Sequence, residues 1–204
     1  MRILAIETAT EACSVALFDE DVCVDARHVT IGRGHAERLV PLISELPGRG
    51  RADRILVSLG PGSFTGVRIG LAAARALGIA WGAQVLGYPT LALVAACARD
   101  VTGTHPVDVA MSGGHGEFFV QPFDERGLPV ADHAALPPAR AAEFLKQDIV
   151  AGNRAQEIAD LRGRGSTISI LPDARHALAI PHTLLTPALA PIYGRPPDAK
   201  LPGQ

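Results

Sequence analysis

The chain has 204 residues, 48% hydrophobic and 20% charged, with a formal net charge of −2 at neutral pH. That balance supports a sizeable core and excludes a disordered chain, and it argues against nucleic-acid binding through bulk electrostatics. Cys13, Cys23 and Cys97 form no C-x-x-C pair and have no metal-ligand spacing, as in a reduced, cytosolic protein.

The chain opens with three short apolar runs, Arg2–Thr8, Ala12–Phe18 and Val22–Val29, separated by polar turns. They predict an antiparallel meander. On a hairpin turning near Glu20, residue 13 faces about residue 27, which puts Cys13 and Cys23 out of register for a disulfide. From His35 to Leu46 the apolar positions follow helical spacing, with Pro41 a blemish. A buried strand from Arg54, the turn "GPGSFTG", a helix over Val67–Trp81 and a strand ending at Tyr88 come next, and Thr90 is read as the cap of a helix through about Cys97.

The second half begins in the same way. Pro106–Met111 and Glu117–Phe123 read as strands around the turn "SGGHG", and "GLPVADHAAL" is a candidate third strand. A short helix at Arg140–Lys146, a strand at Asp148–Gly152, another helix and the strand "STISILP" follow. The two halves run in roughly parallel order, which predicts an α/β protein with mixed sheets in two related lobes, 1–103 and 104–204, the second abbreviated. The proline-rich tail from Pro187 is expected to be extended. Glu7 interrupts the first apolar run, so no signal peptide is expected. The longest apolar helix candidate, about 13 residues and including Arg75, is too short for a bilayer. A soluble protein without membrane contact is expected.

The segment "SLGPGSFTGVRIG" holds the main chemical question. It lacks the lysine of a phosphate-binding loop, since Val67 follows Gly66. It also misses the G-x-S-x-G spacing of a nucleophile turn, because Pro61 and Thr65 stand where glycines are needed. The remaining reading is a tight turn. Gly60, Gly62 and Gly66 permit unusual backbone angles, and Ser63 or Thr65 can cap the next helix. Free amides there, with Arg68, could also attract an anion. Glu7 and Thr8, at the end of the first strand, are candidates for the vicinity of an anion or nucleotide. His35 begins a helix, but position 39 is Leu39, so a two-histidine metal site is not expected. The basic spots at Arg49, Arg51 and Arg54, and at Arg162 and Arg164, read as solvated loops.

The stretches "MRILAIETATEACSVALFD", "HAERLVPLI", "GPGSFTGVRIG", "GYPTLALVA" and "PIYGRPPDAK" resemble the bacterial TsaB (YeaZ) family. These are dimerization subunits of the machinery that makes threonylcarbamoyladenosine at position 37 of tRNA. The resemblance implies a two-lobed actin/Hsp70-like (ASKHA) fold. It further implies a non-catalytic scaffold with no cofactor or metal, degenerate relative to the catalytic subunit TsaD. The partners it implies are a TsaD-type subunit, a second copy of the chain when TsaD is absent, and a TsaE-type ATPase. Contact with tRNA would be only indirect, through the complex. The His35–Leu46 and Val67–Trp81 helices are the implied interface, carried by His35, Leu39, Ile43, Arg68, Leu71, Ala72 and Arg75. The hairpin "SGGHGEFF" departs from the family pattern at Ser112, Gly113 and Gly114. The alternative is a free-standing enzyme of this fold, an ATP-dependent transferase or a metallopeptidase.

Overall fold

The structure is a computed structural model and describes residues 1–194; the end of the "PIYGRPPDAK" stretch lies outside the described residues. Strands β1 (Arg2–Glu7), β2 (Ala12–Asp19), β3 (Val22–Thr30), β4 (Arg54–Ser58) and β5 (Gln84–Tyr88) form one sheet in the order β3-β2-β1-β4-β5. The meander is antiparallel, whereas β4 and β5 join in parallel. β2 is buried along all but its last residue, which is why it reads as a continuous apolar run. Cys13 faces Val29 rather than a residue near 27, because the turn is centred between Glu20 and Asp21 and the β2–β3 register shifts by one further residue between Leu17 and Phe18. The cysteines are free, as their spacing suggests.

Helices α1 (His35–Ser44) and α2 (Phe64–Trp81) cover one face of this sheet. α2 starts three residues before the expected Val67, because Ser63 Oγ accepts the Gly66 amide at 3.2 Å. Its other end is closed by Gly82 at φ 68°.

Helix α3 (Thr90–Thr102) fills the opposite face, and every residue from Thr90 to Ala98 is buried. Thr90 does not cap it. Pro89 holds that position, and the Thr90 hydroxyl lies 2.6 Å from Ser58 Oγ instead. Threonine before an apolar run suggests a cap, but a buried hydroxyl takes whichever partner the neighbouring strand supplies.

The second sheet, β10-β9-β6-β7-β8, consists of β6 (Val107–Ser112), β7 (Phe118–Phe123), β8 (Ala134–Leu136), β9 (Ile149–Ala151) and β10 (Ser166–Ile168). Only three residues of "GLPVADHAAL" pair as β8. Helices α4 (Pro138–Phe144) and α5 (Ala155–Arg162) back this sheet. Arg162 is not a solvated loop residue. Its side chain is buried on α5 and pairs with Asp108 at 3.2 Å. α3 packs on both sheets, so the layers run helices, sheet, α3, sheet, helices. After β10 the chain crosses back to the first sheet. Thr186 bridges Gly87, and the Ile192 amide donates to Leu59 O at 2.7 Å.

Candidate functional site

The glycine-rich turn stands where β1 and β4 end together, and its spacing has a steric cause. A Cβ on Gly62 would lie 2.1 Å from Ala9 O, one on Gly66 2.0 Å from Thr8 O, and one on Gly70 2.5 Å from Thr8 Oγ1. Three glycines four residues apart therefore let the turn and α2 lie directly on the backbone after β1. Polar bonds hold this approach: the Ser63 amide donates to Ala9 O at 2.7 Å, and Thr8 Oγ1 donates to Gly66 O at 2.8 Å. Gly60 sits at φ 94°, where a side chain would be strained, and its peptide to Pro61 is cis. Several of the groups that could bind an anion are thus already used inside the chain.

Glu7 has no exposed surface. One carboxyl oxygen accepts the Ala9 amide at 2.6 Å, and the other has no hydrogen-bond partner. Burial pushes its pKa up to about 7, against the lowering effect of the Ala9 amide and the nearby Ser58 and Tyr88 hydroxyls. Tyr88 donates its own hydroxyl to Ile6 O at 2.8 Å. Glu7 does not line the adjoining cleft, so of the residues suggested for an anion or nucleotide only Gly62 and Ser63 reach it, with Arg68 from the interface set.

That cleft, about 790 Å³, opens between the lobes. Thr10, Glu11 and Ser63 line it from the first lobe, and Ser112, His115 and Asn153 from the second. Asn153 joins the two sides: its Nδ2 donates to Glu11 Oε1 at 2.8 Å, and its Oδ1 accepts the Ser112 amide at 2.8 Å. At the mouth the Arg68 guanidinium lies 3.5 Å from the centre of the Phe64 ring and donates to the Tyr193 hydroxyl at 3.1 Å. Phe64 and Tyr193 stack at 5.7 Å. Glu11, Asn153, Phe64 and Tyr193 were not singled out in the sequence. Only the fold brings together residues this far apart.

The implied interface residues divide into two groups. His35, Leu39, Ile43 and Leu71 are buried in the chain's own first-lobe core. His35 Nε2 lies 3.1 Å from Ala12 O. Arg68, Ala72 and Arg75 are exposed on α2, together with Thr65, Ala76, Ala80 and Ile79, the last 87% exposed. Val40 of the adjacent α1 is 57% exposed. Helical spacing identifies an apolar stripe but not whether it meets the sheet or the solvent. Val40 belongs to the apolar spacing expected on α1 but points to solvent, and Ile79 was not singled out because the sequence of α2 is apolar almost all round. Among the described residues, no group of three or more His, Cys, Asp or Glu is placed to hold a metal ion. No helix there is long and apolar enough to cross a membrane.

A family model described as "TsaD: tRNA N6-adenosine threonylcarbamoyltransferase" matches residues 29–172. The chain is 36% identical over 156 residues to the tRNA threonylcarbamoyladenosine biosynthesis protein TsaB of Escherichia coli, covering 72% of this chain and 67% of that one. The chain belongs to the TsaB/YeaZ family. A Haemophilus influenzae TsaB is 37% identical over 47% of this chain and 41% of its own length. Among solved structures, YeaZ from Pseudomonas aeruginosa superposes with a TM-score of 0.79 at 28% identity, covering 94% of this chain and 99% of that one. A second structure, described as similar to peptidase YEAZ from that organism, gives 0.82 at 29% identity over 95% and 99%. The TsaB/YeaZ likeness and the paired sheets agree with the expected two-lobed actin/Hsp70-like α/β fold.

Proposed function

We propose that this TsaB-family chain serves in the biosynthesis of threonylcarbamoyladenosine in tRNA as a scaffold that binds and stabilises a TsaD-type transferase, without catalysing the transfer itself. The naming of its relatives supports the pathway. The observation that carries the scaffold role is the outer face of α2. There Ala72, Ala76 and Ala80 leave a smooth surface around Ile79, continued by Val40 of α1. Small residues allow close approach of a partner helix, and a large apolar side chain left in water gains from being covered. Arg68 and Arg75 border this face and hold the returning segment, through the Tyr193 hydroxyl at 3.1 Å and Leu189 O at 2.7 Å; their remaining donors suit a partner offering carboxylates or carbonyls. The same face would support a homodimer when TsaD is absent, and a TsaE-type ATPase would join the assembled pair. tRNA would contact the complex rather than this subunit alone.

Light scattering after size exclusion tests the reading, with the chain alone and then mixed with the TsaD-type subunit of the same organism. The expected result is a 1:1 complex, weakened at least tenfold by Ala72→Glu or Ile79→Glu with the fold intact. Two unchanged species in the mixture would overturn the scaffold reading. Leu71→Glu is unsuitable for this purpose, since it would place a charge in the chain's own core.

A further inference from the structure

Strand β3 is nine residues long and lies at the edge of the first sheet, with β2 on one side only. An open edge is a template for another strand. Ile31 donates its amide to Glu11 O at 2.9 Å, and the β2–β3 pairing continues through Val29 and Arg27 at two-residue steps. Bonded and non-bonded pairs alternate in an antiparallel ladder. Ala26, opposite Ala16, is therefore a non-bonded pair whose N–H and C=O point away from β2.

Both outward groups are already engaged. The Ala26 amide donates to Asp25 Oδ1 at 2.8 Å, and Arg27 Nη1 donates to Ala26 O at 2.8 Å. Asp25 and Arg27 close the ring by pairing with each other. Arg27 Nε also reaches Glu45 at the end of α1, at 3.3 Å, which ties the clip to the helix layer. The register shift beside Val24 adds a local irregularity, of the kind that discourages strand addition. Val22 and Val24, 66% and 45% exposed, supply apolar surface next to the clip.

We infer that the Asp25–Arg27 pair guards the β3 edge, occupying its central hydrogen-bonding groups so that a second copy of the chain does not add its own β3 there. The second copy is the fitting partner because antiparallel pairing about Ala26 is two-fold symmetric, each Ala26 meeting the other's N–H and C=O, and the charge order agrees with it. Two β3 strands paired antiparallel about Ala26 would set Asp25 of each opposite Arg27 of the other. The clip thus holds within one chain the same charges that would match between two. This is independent of the α2 face and would stand if the scaffold role failed.

The test compares the full chain with Asp25→Ala/Arg27→Ala, each carrying Ala72→Glu so that α2-face association does not contribute. Circular dichroism serves as the check on folding. Light scattering is expected to show concentration-dependent association of the double variant, toward twice the parent's mass. Hydrogen exchange is expected to show the Ala26 amide protected in that larger species. In the dilute chain, the same amide should exchange at least tenfold slower in the parent than in Asp25→Ala, because a bonded amide must open first. A double variant that keeps the parent's mass would overturn the inference. So would association that leaves Ala26 unprotected, or equal Ala26 exchange rates in the dilute parent and Asp25→Ala.

Discussion

The two lobes share one plan and differ in length. Their sheets, β3-β2-β1-β4-β5 and β8-β7-β6-β9-β10, have the same order of pairing, with a helix following the third strand and another the fourth. The close turn recurs too. Gly66 lies against the backbone at Thr8 after β1, and Gly152 against the backbone of Ala110 in β6, where a Cβ would stand 2.2 Å from the carbonyl oxygen. In the first lobe that turn launches an 18-residue helix, and in the second only eight residues, α5. In the second lobe β8, β9 and β10 shrink to three residues each. Topology therefore fixes the turn but not the helix. The extra turns of α2 carry Ala72, Ala76 and Ile79 into solvent, and the surface proposed for a partner exists only where the plan was extended.

The comparison breaks first at its glycines. Gly66→Ala should cost about 3–4 kcal/mol, because Thr8 O cannot retreat without disturbing the strand end. In the second lobe Gly163→Ala has open space, although φ is +65°, and should cost only about 1 kcal/mol. Urea denaturation of both variants would read the difference, and equal costs would undo the steric account.

Glu7, at the end of β1, gives the next effect. Its counterpart at the end of β6 is the uncharged Ser112. With its pKa raised from 4.5 to about 7, Glu7 keeps its proton in the folded state after the unfolded chain has lost it. Its contribution to stability is thus full below pH 4.5 and is lost as pH rises through 7. Glu7→Gln should remove this fall, gaining about 3 kcal/mol at pH 8 relative to acid pH. Denaturation midpoints from pH 4 to 8 would check it, and parallel profiles for the two proteins would count against it.

A smaller loss, about 1–2 kcal/mol, is expected for Thr90→Val, which leaves the buried Ser58 hydroxyl without its partner at 2.6 Å. The smallest effects on stability belong to the exposed helix faces. Ala72→Glu on α2 and Leu161→Glu on α5 should each change stability by less than about 0.5 kcal/mol. Only the α2 change should reduce partner binding in scattering or titration, and equal losses would remove the functional contrast between the lobes.

Much of the fold was legible because its strands are short apolar runs and its glycines mark tight turns. The order of elements in both lobes, the meander and the helix after "GPGSFTG" all follow from local pattern. What escaped depended on distant partners. The hydroxyl of Thr90 chose Ser58, 32 positions away, over the start of its own helix. The return of the chain at Thr186 and Ile192 shows no periodicity, since a bridge and single bonds hold it. At the site, Leu39, Ile43 and Leu71 have the apolar character that core and interface share, and only the sheet beneath them decides between the two.

Helix α3 ties these regions together. Its buried side chains meet Ile3, Ala5 and Leu56 of the first sheet and Val107, Val109 and Phe119 of the second in one apolar cluster. A chain cut near Gly103 would keep the first sheet but leave half of α3 facing water. Heating should accordingly give one calorimetric transition, with equal van't Hoff and calorimetric enthalpies, rather than two overlapping melts. The two lobes are expected to unfold as one unit.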